Sequence, residues 1–235
     1  MNDKLSTFGK ACKKGAASLL MLLYFVPVGA QTPTTSLRDS LKSVSEALSF
    51  RPDSIDLRLR KAALNVALEE WDYAKNEYDA VLKQQPRNIA ALFYRAYVNR
   101  QLHRYNYARV DYESLLEIVP GNFEARLGLA LLNQQDKHLT EAMDGINDLV
   151  TAFPDSAVAW AARGGMEMER GLNELAEYDY TEALRLDPKN SDYLLSRADV
   201  RIKLRRYSQA RADLDVIVKL GTPRAALKEW YDQCK

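Results

Sequence analysis

The chain has 235 residues, 47% hydrophobic and 28% charged, and its 33 basic and 32 acidic side chains leave a formal net charge of +1. With the two signs interspersed, there is no electrostatic footprint for nucleic acid. His103 and His138 are the only histidines and Cys12 and Cys234 the only cysteines, so no Cys/His cluster has metal-ligand spacing, and no glycine loop for phosphate occurs.

Residues 1–30 read as a secretory signal peptide. Lys4, Lys10, Lys13 and Lys14 precede an uncharged apolar run over 16–28, broken near its end by Pro27, and Val28, Gly29 and Ala30 place small residues at a cleavage junction. A run this short falls below the roughly 20 residues that span a bilayer. Cys12 precedes the run, which argues against lipoprotein attachment. Cleavage after Ala30 removes four lysines and one aspartate, taking the formal charge from +1 to −2, and leaves Cys234 as the one thiol. An exported chain without internal disulfides suits the bacterial periplasm. No later segment approaches membrane-spanning length, so no stable span is expected after cleavage.

Residues 31–54 hold SLRDSLKSVSEALSF, the pattern of a single amphipathic helix expected to cap the helices after it. From there a strict period takes over. Pro52, Pro86, Pro120, Pro154 and Pro188 lie 34 residues apart, and Ala74, Ala108, Ala142, Ala176 and Ala210 keep the same step. A fixed period of this length means one structural unit stacked repeatedly. Each period contains two blocks of helical apolar spacing, as in IAALFYRAYVNRQL and YNYARVDYESLLEIV on either side of His103 and Arg104. Proline closes the second block because it lacks the backbone donor and disfavours helix in the residue before it.

Ala62, Ala96, Ala130, Gly164 and Ala198 form a second small-residue series, and both series are read as points where two helices cross closely. Large residues fill the space between, with Tyr78, Tyr112, Ile146, Tyr180 and Leu214 sharing one place in the period and Trp71, Tyr105, Leu139, Asn173 and Tyr207 another. After Gly221, a C-cap, the stretch 223–235 presents Ala225, Leu227, Trp230 and Tyr231 as the apolar side of a closing helix.

Small, aromatic, apolar and proline positions in this register resemble the tetratricopeptide repeat family. WDYAKNEYDAVLKQQP, YNYARVDYESLLEIVP and NELAEYDYTEALRLDP carry the series, and Trp160 with Gly164 supplies the usual start of a first helix. The resemblance implies an all-α, right-handed α-solenoid of five repeats, 55–88, 89–122, 123–156, 157–190 and 191–224, closed by a capping helix over 225–235. Asn173 replaces an aromatic, Thr222 stands where proline is usual, and Lys61, Arg95, Arg163 and Arg197 occupy a usual leucine site, putting individual interfaces in doubt.

Chemistry is sparse. His103, His138 and the pair Glu69-Glu70 fall in turns between helices and are read as solvated, Gly164 is read as close packing, and Gly165 costs about 1 kcal/mol of helix stability without a visible reason. No cofactor, metal or catalytic constellation is expected. The family resemblance implies instead that first helices line a concave groove. The groove places read Leu59 and Ala63, Phe93 and Tyr97, Leu127 and Leu131, Ala161 and Gly165, Leu195 and Asp199. The Lys and Asn residues with which chaperone-binding members clamp a carboxylate are missing. Phe93, Tyr94, Tyr97, Arg100 and Gln101 make the densest stretch, and Tyr and Arg are enriched at binding hot spots. These five, with Leu127 and Leu131, form the candidate site for a protein or peptide partner; packing of Phe93 and Tyr97 between repeats is the plainer reading. The expected function is a non-enzymatic binding module or scaffold. Self-association into a homo-oligomer through the terminal helix bearing Trp230 and Cys234 or through exposed tyrosines is the alternative, and an accessory role in a cell-envelope enzyme is a third.

Overall fold

The structure, a computed structural model, describes residues 34–234, so the segment read as a signal peptide lies outside the described residues. The described residues are helical and contain no strand. They divide into two compact units, one ending at Ala142 and the other beginning at Met143.

In the first unit, α1 (Thr34–Phe50) packs on the hairpin of α2 (Ile55–Ala67) and α3 (Trp71–Gln84). A second hairpin comes next, α4 (Ile89–Gln101) with α5 (Tyr105–Ile118), and then α6 (Phe123–Gln135). Helix α7 (Leu139–Ala152) begins in this unit and ends in the next. The second unit continues with α8 (Ala157–Glu169) against α9 (Asn173–Leu186) and α10 (Ser191–Lys203) against α11 (Tyr207–Lys219). The chain is an all-α solenoid built from helical hairpins.

Local chemistry repeats with the period. Ser54, Asn88, Asn122, Ser156 and Asn190 each N-cap a first helix, their side chains accepting from the backbone N–H three residues on at 3.4, 3.0, 2.7, 3.3 and 3.2 Å. Such caps satisfy donors the helix cannot pair internally. At the turn within each hairpin, Glu69, His103, Lys137, Gly171 and Arg205 adopt φ of 58°, 56°, 65°, 77° and 58°. Only one of the five is glycine, so four turns hold a side chain in the left-handed region that reverses the chain in two residues.

Both small-residue series lie at helix crossings. Ala62, Ala74, Ala96, Ala108, Ala176, Ala198 and Ala210 are wholly buried, and a Cβ at Gly164 would stand 3.2 Å from that of Asp179. At Gly165 a Cβ would make only ordinary contact, 3.5 Å from the Tyr180 hydroxyl, so packing does not explain that glycine.

The cations at the usual leucine site do not weaken their interfaces. Each is matched by an acid sixteen residues later on the second helix of its own hairpin. Lys61 Nζ lies 2.6 Å from Glu77, and Arg95, Arg163 and Arg197 form two-pronged pairs with Asp111, Asp179 and Asp213 at 2.6–3.1 Å. Each arginine also donates through Nη1 to the residue sixteen positions earlier, Asp79 at 2.7 Å, Asn147 at 3.3 Å and Thr181 at 3.2 Å. One guanidinium fork thereby ties the second helices of two successive hairpins together. The third period lacks the arrangement on both sides, with Leu129 and Gly145 at the paired places.

The C-terminal stretch differs from the single closing helix expected. A 3-10 turn, Arg224–Leu227, leads into a short helix α12, Lys228–Gln233, because proline at 223 fixes the entry and the chain re-forms its helical bonds only after Leu227. Leu227 and Cys234 are buried and Trp230 and Tyr231 pack on the same core, whereas Ala225 is exposed. Arg211 Nη2 donates to the Cys234 carbonyl at 2.7 Å, and burial raises the thiol's pKa. A thiol held protonated and out of solvent is a poor nucleophile, so Cys234 does not present itself for intermolecular pairing in this fold.

Candidate functional site

Helix α4 is apolar around most of its circumference, which places its residues against three neighbours at once. The aromatic side chains of the first unit interlock on it. Tyr94 stacks on Tyr78 with centroids 6.0 Å apart and planes 14° off parallel, while Phe93 meets Tyr94 edge-on at 5.2 Å and Tyr112 at 6.0 Å. Tyr97 sets its edge against Trp71 at 6.0 Å. Each such contact adds about 0.5–1.5 kcal/mol beyond area burial and, as important here, fixes ring orientation.

The seven residues singled out from the sequence separate into two sets. Tyr94, Tyr97 and Gln101 are half-buried and form the accessible edge of α4. Phe93, Arg100, Leu127 and Leu131 are closed off from solvent, with Arg100 only 3% exposed. Their expected place at an open groove surface is therefore corrected: Phe93 is held among Tyr94 and Tyr112, and the Arg100 guanidinium sits over the Tyr97 ring, 5.6 Å from its centroid. Burial pushes the Tyr97 hydroxyl's pKa up, with Arg100 pulling it back and Gln101 hydrogen-bonded to it.

Gly128, which the sequence pattern does not single out, completes the arrangement. Helices α4 and α6 touch, and Tyr112 reaches from α5 to α6, where it meets Gly128. A Cβ at Gly128 would lie 2.6 Å from the Tyr112 ring and 2.8 Å from its hydroxyl, closer than atoms pack. Glycine at this position is the condition for a full tyrosine at 112, and the recurrence of Tyr78, Tyr112 and Tyr180 beside an in-helix glycine at 128 was the available signal. Gly128→Ala is expected to cost roughly 1–2 kcal/mol through overpacking, read as a lowered midpoint in urea; adding Tyr112→Phe, which removes the clashing oxygen, should restore part of it.

The site holds no metal-binding cluster; among the described residues no group of three or more His, Cys, Asp or Glu side chains is placed to hold an ion, and no helix is long and apolar enough to cross a membrane. His103 and His138 sit exposed beside turns, His103 sharing a 2.7 Å hydrogen bond with the Tyr105 hydroxyl, as the solvated reading required. Glu70, by contrast, pairs with Arg38 at 3.2 Å.

A family model for the tetratricopeptide repeat matches residues 59–123 and 167–226, more than half of the chain. The chain belongs to the tetratricopeptide repeat family. Among solved structures, a tetratricopeptide repeat protein from Parabacteroides merdae is similar at 24% identity and a TM-score of 0.72, over 85% of this chain and 78% of that one. TTC0263, a thermophilic tetratricopeptide repeat protein of Thermus thermophilus, aligns at 19% identity and 0.62, covering 77% and 98%. YrrB, a tetratricopeptide repeat protein with an unusual peptide-binding site, aligns at 16% identity and 0.52, covering 80% and 98%. At these identities the likeness establishes the fold. No curated protein sequence matches. Tetratricopeptide repeat proteins generally act by holding other proteins and not by catalysis, and a protein-interaction scaffold is the function the fold supports.

Proposed function

We propose that the protein is an exported, non-enzymatic scaffold of the bacterial periplasm that holds a segment of another protein against α4 and α6. The observation that carries the reading is the accessible edge of α4, where Tyr94, Tyr97 and Gln101 stand over a buried aromatic layer. Tyrosine combines large contact area with a hydrogen-bonding tip, and rings already locked by Tyr78 and Trp71 lose little freedom when a partner binds. The peptide-binding site of YrrB, on the same fold, supports the choice of partner class.

Export rests on the charged start, short apolar run and small residues of the first 30 positions. Protein recovered from an envelope fraction should have the intact mass of a chain beginning at Gln31; a full-length chain in the cytosol contradicts export. For binding, Tyr97→Ala combined with Gln101→Ala should weaken capture of the cellular partner about thirtyfold or more, whereas Tyr107→Ala on the exposed side of α5 should leave it unchanged. Equal capture by both folded variants removes the site from α4.

A further inference from the structure

Independently of the partner face on α4 and α6, we propose that the cleft between α3 and α5 binds a pyranose ring of a glycan, with Asn99 accepting from a sugar hydroxyl and Tyr107 covering the apolar face of the ring.

The cleft has a volume of about 460 Å³, within the range of pockets that hold small ligands. Lys75 and Asp79 of α3 line one side, Tyr107 and Val110 of α5 the other, Arg104 stands in the turn before α5, and Asn99 of α4 completes the lining. Tyr107 is 69% and Val110 58% exposed, so an aromatic ring and an isopropyl group stand in solvent at its wall.

Asn99 points to a ligand. It is 2% exposed, its Nδ2 donates to Asp111 at 3.4 Å, and its Oδ1 has no hydrogen-bond partner among the described residues. A buried acceptor left unpaired costs free energy. One period later the chain meets the same need from within. Arg109 reaches 24 residues ahead to donate Nη1 to the Oδ1 of Asn133, and donates Nη2 to Asp136 at 2.7 Å. In the earlier period the place of Arg109 is held by Lys75, which turns along its own helix to Asp79 at 2.6 Å and leaves Asn99 Oδ1 unmet.

Charge then selects the class of ligand. Asp79 and Asp111 are matched by Lys75 and Arg95, while Arg104 at the rim pairs with the exposed Asp72 at 3.3 Å, a contact worth little. An ammonium or guanidinium entering the cleft would meet three cations, Lys75, Arg95 and Arg104. A carboxylate or fully ionised phosphate suits Arg104 but has no proton to give Asn99. A hydroxyl donates one bond and accepts two, so neighbouring hydroxyls of one sugar ring serve Asn99 as donors and Arg104 and Lys75 as acceptors. The exposed Tyr107 ring supplies a flat apolar surface for the C–H face of the pyranose and carries a hydrogen-bonding tip at its edge.

The test is an NMR titration of the purified, isotope-labelled protein with the methyl pyranosides of glucose, galactose, mannose and N-acetylglucosamine, beside inorganic phosphate and ethylguanidinium. At least one glycoside should shift the Asn99 side-chain amide and the Tyr107 and Val110 backbone signals, with a Kd on the order of 1 mM. Asn99→Leu should abolish that binding, and Tyr107→Ala should weaken it at least tenfold while leaving partner capture on α4 intact, which separates the two sites. If Asn99→Leu does not fold, Tyr107→Ala decides alone, since its ring is exposed. Binding by none of the glycosides, shifts confined to residues away from the cleft, phosphate or ethylguanidinium binding in place of all four sugars, or a glycoside affinity that survives Tyr107→Ala overturns the proposal.

Discussion

Arg163→Leu is expected to destabilise the second unit by roughly 3 kcal/mol, and adding Asp179→Ala should return most of the loss. Asp179 is 1% exposed at its side chain and is held by Arg163 through two bonds of 2.7 and 2.8 Å. Removing the cation strands a buried carboxylate beside a second acid, Glu167, and also ends the stacking of Arg163 on Trp160 at 4.9 Å. Removing both members leaves an apolar contact of the kind the chain already uses in its third period, where Leu129 and Gly145 stand at the corresponding places. Urea denaturation of the parent, both single variants and the double variant gives the coupling energy. A single variant costing under about 1 kcal/mol with coupling near zero would show that the pair is solvated and that the forks do not tie the helices.

Glu167→Gln is expected to stabilise the protein by about 2 kcal/mol at pH 8 and to leave it unchanged below about pH 4. Glu167 is 6% exposed, and burial, reinforced by the Asp179 carboxylate, pushes its pKa up to about 7, with Arg163 and Arg170 pulling it down. The folded carboxyl thus binds its proton more tightly than the unfolded one, which titrates near the ordinary 4.5. Its contribution to stability is complete below about pH 4.5, drains as pH rises toward 7, and is gone above that. Glutamine keeps the shape of the protonated acid and carries no charge to bury, so the two stability curves should coincide at acidic pH and separate across the window from about 4.5 to 7. Parallel curves throughout would mean that Glu167 is ionised in the fold at neutral pH.

The helices were legible because period, proline and alanine all point to the same register, and α4 and α5 begin and end within one residue of the limits their apolar spacing predicts. The N-cap series keeps the same step of 34, but Ser54, Asn88 and Ser156 read singly as ordinary loop residues, so it is not legible residue by residue. The cations at Arg95, Arg163 and Arg197 were legible only as exceptions. Their partners lie sixteen residues away on the opposing helix, a spacing that belongs to the hairpin and not to any one helix, so single-helix patterns do not reveal it. At the candidate site, sequence placed Tyr94, Tyr97 and Arg100 on one stretch but not their depth. Depth is decided by neighbours on α3, α5 and α6, above all by Tyr112 reaching to Gly128, and no pattern along α4 carries that information.

The central claim, that a protein segment lies on the face of α4 and α6, is tested most directly by placing a photo-crosslinking amino acid in turn at Tyr94, Tyr97, Gln101 and, on α5, Asn106, and mapping adducts in living cells. Adducts from the three α4 positions, joined to one continuous segment of a single protein and absent from the exposed Asn106, are the predicted result. Adducts from Asn106 alone, or none from α4 in a folded and correctly localised protein, would contradict it.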